Sequence, residues 1–188
     1  MSNIKIMWKK IKSIINEIVY IFLNYFVCNI PINCVRIFFY KLFGMKIGKG
    51  SKILMKTQVV SPWKITLGDH VYVNEWCYLD GRGGISIGDN TTVALYSKII
   101  TGFHDVYSEN FDYKELPVKI GDNCAIFTGT IVLPGVEIED KAIFAAGSVV
   151  KRQKYEGNFI YGGNPVSKIK NRNLENNYSQ DEWKVIFR

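Results

Sequence analysis

Patterns of metal ligands and of disulfides are missing from this 188-residue sequence. Its four cysteines, Cys28, Cys34, Cys77 and Cys124, contain no CxxC pair and none of the spacings of a zinc site or a disulfide framework. The sequence has only two histidines, whereas a metal centre needs three or four converging ligands. We therefore expect no metal, and we expect the cysteines to be small buried residues in a reducing compartment.

Long uninterrupted apolar runs are also scarce. Residues 4–26 are rich in apolar and aromatic side chains, but Glu17, Asn24, Asn29 and Pro31 interrupt this region. No run approaches the roughly 20 apolar residues of a spanning helix, and a charged residue inside the stretch disfavours a secretory signal. We therefore expect a cytoplasmic protein, with attachment to the inner face of the membrane left open.

Positive charge is present in excess. The formal net charge of +7 is large for this length and indicates an anionic partner, such as a nucleic acid, a phosphorylated ligand or an acidic membrane surface. The basic residues are dispersed along the sequence, and those of the N-terminal region share a helix with an apolar face. This arrangement argues against nucleic acid as the partner.

Residues 1–45 carry the spacing of an amphipathic helical region. Apolar side chains recur every three or four residues and share one helical face: Ile4, Trp8, Ile11, Ile15, Ile18, Phe22 and Tyr25. Asn29 and Pro31 mark the start of a second helix, which ends at Gly44. The two helices are expected to form a hairpin, and two roles are open for it. It caps the solenoid end or packs on another subunit, or it lies in the interface of an anionic membrane. These roles are compatible.

Residues 46–152 follow a stride of six residues. Apolar residues open five segments, and in each segment further apolar residues follow six and twelve positions later; the segments start at Ile47, Leu67, Ile87, Ile120 and Ile138. Neither a helix nor a single strand has this period. A solenoid with three short strands per coil does, because one side chain per strand fills a narrow triangular interior. The sequence therefore predicts a mainly β, three-sided parallel solenoid of about five coils.

The ladder has one long interruption. The five segment starts are 20, 20, 33 and 18 residues apart, so the third coil holds an insertion, which we place at residues 101–118. Long loops on a regular scaffold commonly carry function. After Val150 the pattern stops, and residues 153–188 are predicted to form a turn at Gly162-Gly163-Asn164-Pro165 and a polar tail.

His104 stands at the start of this insertion, in the segment Thr101-Gly102-Phe103-His104-Asp105. A neutral imidazole there can accept the proton of a substrate hydroxyl. A single loop histidine is more often a plain surface residue, so the pattern alone leaves both readings open. We interpret His70, at a corner of another coil, as a surface residue, and Cys77 and Cys124 as packing residues rather than nucleophiles.

The run from Ile120 to Lys170, with Ala145-Ala146-Gly147-Ser148-Val149-Val150 and then Gly163-Asn164-Pro165, resembles the hexapeptide-repeat O-acetyltransferases. The similarity is greatest to their sugar branch, which comprises the maltose, galactoside and colanic-acid or capsule biosynthesis acetyltransferases. The resemblance implies a left-handed parallel β-helix, a homotrimer, and transfer of an acetyl group from acetyl-CoA to a sugar hydroxyl. It places that reaction in the assembly of surface polysaccharide or lipid-linked glycan.

The resemblance also assigns roles to individual residues. His104 matches the general base of the family, and Asn74, thirty residues earlier, matches the asparagine that contacts the acceptor sugar. Contacts with the donor fall on Thr128, Ala146, Lys151, Arg152 and Lys170. Asp105 is a candidate for orienting His104. The implied mechanism is direct transfer in a ternary complex, without a covalent acyl-enzyme.

The chain departs from the family pattern at several positions. Ala125 stands where many relatives carry tryptophan, Lys151-Arg152 stands where Thr-Lys is common, and Trp76 implies a different acceptor pocket. Serine and amino-sugar acetylation on the same scaffold remain alternative functions, as does a non-catalytic solenoid assembly module.

Overall fold

A computed structural model describes residues 2–173 of the chain, with side chains from residue 5 onward. The N-terminal region is helical, as its spacing predicts. Its elements are α1 (Ser2–Ile21), a π-helical turn (Phe22–Phe26), a 3-10 turn (Val27–Asn29) and α2 (Asn33–Leu42). The C-terminal part of the predicted polar tail, residues 174–188, lies outside the described residues.

Three parallel sheets form the sides of a solenoid, and each coil contributes one short strand to each sheet. The first sheet comprises β1 (Lys46–Ile47), β4 (Ile65–Leu67), β7 (Ile85–Ile87), β12 (Val118–Ile120), β15 (Glu137–Ile138) and β18 (Lys154–Tyr155). The second comprises β2 (Lys52–Ile53), β5 (Tyr72–Val73), β8 (Thr92–Val93), β13 (Ala125–Ile126), β16 (Ile143–Phe144), β19 (Phe159–Gly162) and the antiparallel β20 (Ser167–Asn171). The third comprises β3 (Gln58–Val60), β6 (Tyr78–Asp80), β9 (Lys98–Ile99), β14 (Ile131–Val132) and β17 (Val149–Val150).

The insertion and the two longer coils fall at the corner after the third sheet. The first two coils end in 3-10 turns at Pro62–Lys64 and Gly81–Gly83. The third coil ends in a hairpin of β10 (Gly102–His104) and β11 (Tyr113–Glu115). The spacing of the repeats had placed these extra residues after the third strand of each coil, and the structure confirms that position.

The interior is filled by the apolar residues of the six-residue stride. Ten of them have no exposed surface: Ile53, Val59, Val73, Leu79, Val93, Ile99, Ile126, Val132, Phe144 and Val150. Each side chain meets its equivalents in the coils above and below, because parallel strands with one stride stack in register. Burial of this continuous column is the main apolar stabilisation of the fold.

The parallel ladder continues beyond Val150, where the sequence pattern was taken to stop. β18 and β19 extend two of the sheets, and Tyr155 and Tyr161 occupy interior positions six residues apart. Both rings lie 5.1 Å from the ring of Phe144. Their hydroxyls donate to the backbone oxygens of Lys151 and Glu156, so tyrosine is tolerated at this end of the core. The solenoid therefore has five complete coils and a partial sixth.

An aspartate ladder explains the recurring Gly-Asp dipeptides. Asp89 Oδ1 accepts the backbone N–H of Asp69 in the coil before it at 2.7 Å, and the same bond links each pair of neighbouring coils from Lys49 to Asp140. A Cβ added at Gly68 would lie 2.2 Å from Asp89 Oδ1, so glycine is required where the next coil supplies an aspartate. The motif is thus a coil-to-coil connection.

Residues 22–42 cover the N-terminal end of the solenoid. The fully buried Arg36 donates from Nε to the backbone oxygen of Ile53 at 3.0 Å. The Asn24 side chain accepts the N–H of Val59 at 2.7 Å and donates to its carbonyl oxygen at 2.8 Å, as a neighbouring strand would. These bonds satisfy the open edge of the first coil. The predicted capping role is confirmed for this segment.

Helix α1, in contrast, is largely uncovered. Its apolar side chains are exposed along its length: Ile6, Met7, Trp8, Ile11, Ile14, Ile15, Ile18 and Ile21. The predicted apolar face therefore packs on nothing within the described chain until Val19 and Leu23. The helical stretch Lys5–Asn29 is long and apolar enough to cross a membrane, contrary to the expectation from its interruptions. Core helices and signal sequences meet the same criterion, so length and composition alone do not assign a span.

Candidate active site

His104 is carried by the hairpin that interrupts the third coil. β10 pairs antiparallel with β11, with Gly102 opposite Glu115 and His104 opposite Tyr113. Alternation along β10 leaves His104 exposed at the end of the strand, outside the solenoid interior. The hairpin thus projects a single imidazole from an otherwise regular wall.

The imidazole is held in one orientation by its neighbours. His104 Nδ1 lies 2.8 Å from the backbone oxygen of Phe111. Because a carbonyl oxygen only accepts, Nδ1 carries the proton in the neutral ring and Nε2 carries a free electron pair. The Phe111 ring stacks on the imidazole at 4.5 Å, and the Tyr113 ring meets it edge-on at 5.4 Å. This geometry presents Nε2 as a proton acceptor.

A buried carboxylate anchors the base of the hairpin. Asp80 has no exposed surface, and its two oxygens accept hydrogen bonds from Arg82 Nε at 2.7 Å and Nη2 at 2.9 Å. Asp80 Oδ2 also accepts the N–H groups of Thr101 at 3.2 Å and Gly102 at 3.1 Å, the residue before β10 and the first residue of β10. The Arg82 guanidinium lies 5.4 Å from the ring centre of Tyr113. Asp80 and Arg82 therefore connect the solenoid wall to both strands of the hairpin.

The charge of Asp80 is maintained by these partners. Burial alone raises the pKa of a carboxyl, but the hydrogen bonds from Arg82 and the backbone outweigh burial, and the pKa of Asp80 is lowered. The same carboxylate raises the pKa of Arg82. Both groups are thus charged at neutral pH, and the Asp80–Arg82 ion pair at the base of the hairpin is maintained.

Asp105 does not orient His104, which corrects that sequence expectation. Its carboxylate accepts from Lys114 Nζ at 2.6 Å and from the backbone N–H of Tyr107 at 3.0 Å. Adjacent residues on a strand point to opposite sides, so Asp105 faces the other strand of the hairpin instead of the imidazole. The backbone oxygen of Phe111 performs the orienting role.

A cavity of about 500 Å³ opens beside His104 and is partly lined by Asp105, Lys114 and Arg152. Among the predicted donor residues, Arg152 is therefore close to the candidate base. Lys151 is exposed next to it, whereas Lys170 lies exposed on β20. The structure brings only one of these three basic residues to the His104 cavity.

The remaining predicted contacts share a different corner of the solenoid. Asn74, Thr128 and Ala146 follow the second-sheet strands of coils two, four and five. Asn74 Nδ2 donates to Val93 O at 3.3 Å, and Gly147 N donates to Thr128 O at 2.9 Å. Thr128 and Ala146 are exposed. Within one chain, these residues therefore lie apart from His104, whose hairpin leaves the solenoid at the corner after the third sheet.

The cysteines are unsuited to nucleophilic catalysis where they are buried. Burial raises the pKa of Cys77 and of Cys124 to about 12, so both are protonated thiols at neutral pH. Cys28 is also buried, but Cys34 is exposed, which corrects the expectation that all four are buried. Residues 2–173 contain no group of three or more metal-ligating side chains.

The fold and this site together define a hexapeptide-repeat transferase. Residues 117–152 match the model of the bacterial transferase hexapeptide (six repeats). The chain is 36% identical over 137 residues to WcaF of Escherichia coli (strain K12), a protein named for colanic acid biosynthesis acetyltransferase activity, and the match covers 73% of this chain and 75% of that protein. The chain belongs to the hexapeptide-repeat acetyltransferase family.

Solved structures agree with this assignment. A maltose O-acetyltransferase from Clostridium difficile 630 is 29% identical, with a TM-score of 0.67 over 73% of this chain and 74% of that one. A galactoside acetyltransferase in complex with coenzyme A is 22% identical, with a TM-score of 0.73 over 85% of this chain and 80% of that one. At this identity the second shows the fold alone. The expected left-handed parallel β-helix is confirmed.

Several site residues were missed from the sequence. Asp80, Arg82, Phe111 and Tyr113 support His104, yet none belongs to the repeat pattern. Asp80 directly follows the buried interior residue Leu79. The equivalent positions in the third and fourth coils, directly after Ile99 and Val132, hold Ile100 and Leu133. The first coil has Val60 at this position and the fifth has the exposed Lys151, so a buried charged residue among apolar equivalents in the first four coils is a signal that could have been found.

Proposed function

We propose that this chain transfers the acetyl group of acetyl-CoA to a hydroxyl of a sugar, in the biosynthesis of surface polysaccharide or lipid-linked glycan. The observation that carries the proposal is the orientation of His104, whose Nδ1 faces the Phe111 carbonyl oxygen so that Nε2 is free to accept a proton. A relative named for colanic acid biosynthesis and a structural neighbour named for maltose support a sugar acceptor.

In this mechanism His104 acts as a general base. Nε2 removes the proton of the acceptor hydroxyl while the oxygen attacks the thioester carbonyl carbon, and the carbon–sulfur bond then breaks. The thiolate of coenzyme A takes the proton back from Nε2, which restores the neutral ring. No side chain forms a bond to the acetyl group, in keeping with the raised pKa values of the buried cysteines.

Donor binding is supported by charge and by open space. The donor carries phosphates, and Arg152 supplies a cation at the His104 cavity. Beside Thr128 and Ala146, Gly129 and Gly147 have positive φ and nothing within 4 Å of the position of a Cβ. This leaves room for an extended chain against exposed backbone at that corner. Lys151 and Lys170 are proposed to contact the phosphates from its end.

A homotrimer would bring the separated parts of the site together. Asn74, Thr128 and Ala146 lie at one corner of the solenoid, whereas His104 and Arg152 lie at another. In a cyclic assembly the hairpin of one copy can face the other corner of its neighbour, so that three equivalent sites form. We propose this arrangement, with Asn74 contacting the acceptor sugar that His104 of the adjacent subunit deprotonates.

An acceptor screen with acetyl-CoA tests the proposed function. We expect release of free thiol with oligosaccharides or sugar nucleotides, and no more than background with serine or with amino sugars blocked at oxygen. Thiol release with serine or with the amino group alone would overturn the sugar assignment in favour of those alternatives. Absence of coenzyme A binding by calorimetry would favour a non-catalytic assembly module.

Helix α1 supports a peripheral position at the inner face of the membrane. Trp8, Ile11, Ile15 and Ile18 lie on one side of the helix and are exposed. Lys5, Lys9 and Lys12 lie on the other side, and Lys10 lies at the border of the apolar face. A helix of this kind lies in the plane of the interface, with its lysines close to anionic headgroups. We propose that it places the solenoid in the cytoplasm next to a membrane-bound acceptor.

Vesicle binding tests this placement. Ile15→Glu should weaken binding to phosphatidylglycerol vesicles about 10-fold or more, because it puts a charge into the apolar face. Binding of the unaltered chain should fall with salt and should be weak on phosphatidylcholine, since the lysines are screened or lack partners. The matched control is Tyr107→Glu, which alters a side chain that is 95% exposed on the hairpin. Binding that neither salt nor Ile15→Glu reduces would contradict an interfacial helix.

A further inference from the structure

A second groove, of about 510 Å³, runs along the outer face of the third sheet. Gln58, Tyr78 and Lys98 project into it from paired positions of β3, β6 and β9. Trp76 stands at one edge and Ile100 at the other. The groove therefore spans the face between the corner that carries Asn74 and the corner from which the His104 hairpin leaves.

An aromatic pair stands at one edge of this groove, where Trp76 lines it and Tyr96 stacks on Trp76. Trp76 and Tyr96 both have a φ of 61°, a region that bulky residues rarely adopt, and the equivalent residues of coils four and five are Gly129 and Gly147. The two rings stack at 6.2 Å and are 50% and 53% exposed. Lys56 of the first coil has a φ of 63° at the same position, so this backbone conformation belongs to the corner of every coil. The two exposed aromatic rings distinguish coils two and three, and they indicate a binding surface because neither ring contributes to the core.

The charge of the groove is positive. Its lining includes two lysines and no carboxylate. Lys56 Nζ donates to Asn29 Oδ1 and lies 5.9 Å from the Trp76 ring centre, which positions it over the aromatic pair. Lys98 is exposed and forms no ion pair within residues 2–173. An anionic group bound here would meet two cations and no repulsion.

We infer that this groove binds a saccharide that carries a carboxylate or a phosphate. The apolar face of the sugar ring stacks on Trp76 and Tyr96, and the anionic group pairs with Lys98 and Lys56. The identification of this saccharide as the acceptor rests on the proposed function, whereas its binding does not. The inference narrows the acceptor to an acidic or phosphorylated glycan.

Calorimetry on the full chain without acetyl-CoA tests the inference. The probes are three sugars, glucuronate, glucose 1-phosphate and the neutral methyl glucoside, with inorganic phosphate for comparison. We expect both anionic sugars to bind about 10-fold more tightly than the neutral one. Lys98→Gln should remove most of that difference, and Trp76→Gly should weaken all three about 10-fold. Trp76→Gly should remain folded, since glycine occupies the same position at Gly129 and Gly147. A preference for glucuronate over glucose 1-phosphate, or the reverse, identifies which anion the groove takes.

Phe38→Ala serves as the control, since it removes an aromatic ring that is 60% exposed on α2 and lines neither cavity, and it should change none of the three sugar affinities. Equal affinity for neutral and anionic sugars would overturn the charge assignment. Unchanged affinity in Trp76→Gly would overturn the stacking platform, and so would binding of inorganic phosphate as tight as that of glucose 1-phosphate. Acetyl transfer is read separately: groove binding without transfer contradicts the proposed function, and transfer without groove binding contradicts this inference.

Discussion

Replacing His104 by alanine is expected to lower the turnover number for acetyl transfer about 100- to 10,000-fold, the range that a general base contributes. The loss should appear in turnover and not in donor binding, because the imidazole acts on the acceptor proton through Nε2. Coenzyme A affinity by calorimetry should stay within about twofold. Steady-state thiol release with a productive acceptor measures the turnover number.

The second histidine supplies a matched control. His70 has a φ of 54° at a corner where the equivalent residues of the next two coils are Asn90 and Asn123, at 54° and 55°. His70→Asn therefore fits the backbone and removes an imidazole outside the site. It should retain full activity. Near-full activity in His104→Ala, or an equal loss in His70→Asn, would contradict the assigned base.

Subunit mixing separates the base from the proposed trimer. Co-expressed His104→Ala and Asn74→Ala chains should recover about a quarter of the wild-type activity, because a site made from two subunits is intact only where the right chains meet. Each variant alone should be nearly inactive. No recovery in a verified mixed oligomer would place both residues in the site of one chain, which the separate corners of the solenoid oppose.

Replacing Asp80 by alanine is expected to lower both stability and turnover. The change leaves the Arg82 guanidinium and the N–H groups of Thr101 and Gly102 without their acceptor, at a cost of about 2–4 kcal/mol in the free energy of unfolding. Because these groups hold the base of the hairpin, His104 should lose its position. We expect turnover to fall at least 10-fold at a temperature where the variant is folded, with the KM for acetyl-CoA little changed.

The pH dependence of this stabilisation has a definite sign. The pKa of Asp80 in the folded chain lies below its ordinary value of 3.8. The contribution is therefore complete above about pH 5 and is lost as the pH falls through the folded-state pKa. The stability difference between the unaltered chain and Asp80→Asn, measured by urea unfolding, should be constant near neutral pH and should shrink in acid.

Asp105→Asn is the control for Asp80, since it removes a carboxylate next to His104 that contacts Lys114 instead. Its turnover should stay within about threefold of the unaltered chain, the effect of an exposed ion pair. A larger loss in Asp105→Asn than in Asp80→Ala would reverse the two roles. A fall in stability of Asp80→Ala with no fall in turnover would reduce Asp80 to a structural residue.

Much of the architecture could be predicted from local repetition. The six-residue stride is an unusual period, and the buried column from Ile53 to Val150 occupies the positions that it names. The prediction that the ladder ends after Val150 was wrong. Tyr155 and Tyr161 continue the interior stack, but they are not aliphatic, and their hydroxyls donate to backbone oxygens outside the repeat positions. On α1 the helix and its apolar face were predicted, but this face is uncovered in the described chain, so of the alternatives only the capping role is excluded for this helix.

The sequence by itself therefore determined the solenoid, the position of its long interruption and the one histidine placed there. Periodic patterning determines these features because each six-residue stride buries one side chain, and this burial does not depend on contacts with distant parts of the chain. Only the tertiary structure decided what holds that histidine: the carbonyl oxygen of Phe111 instead of Asp105, and the Asp80–Arg82 pair beneath the hairpin. These contacts join residues two to nine positions apart that lie outside the six-residue stride, and their directions depend on backbone geometry that spacing does not encode.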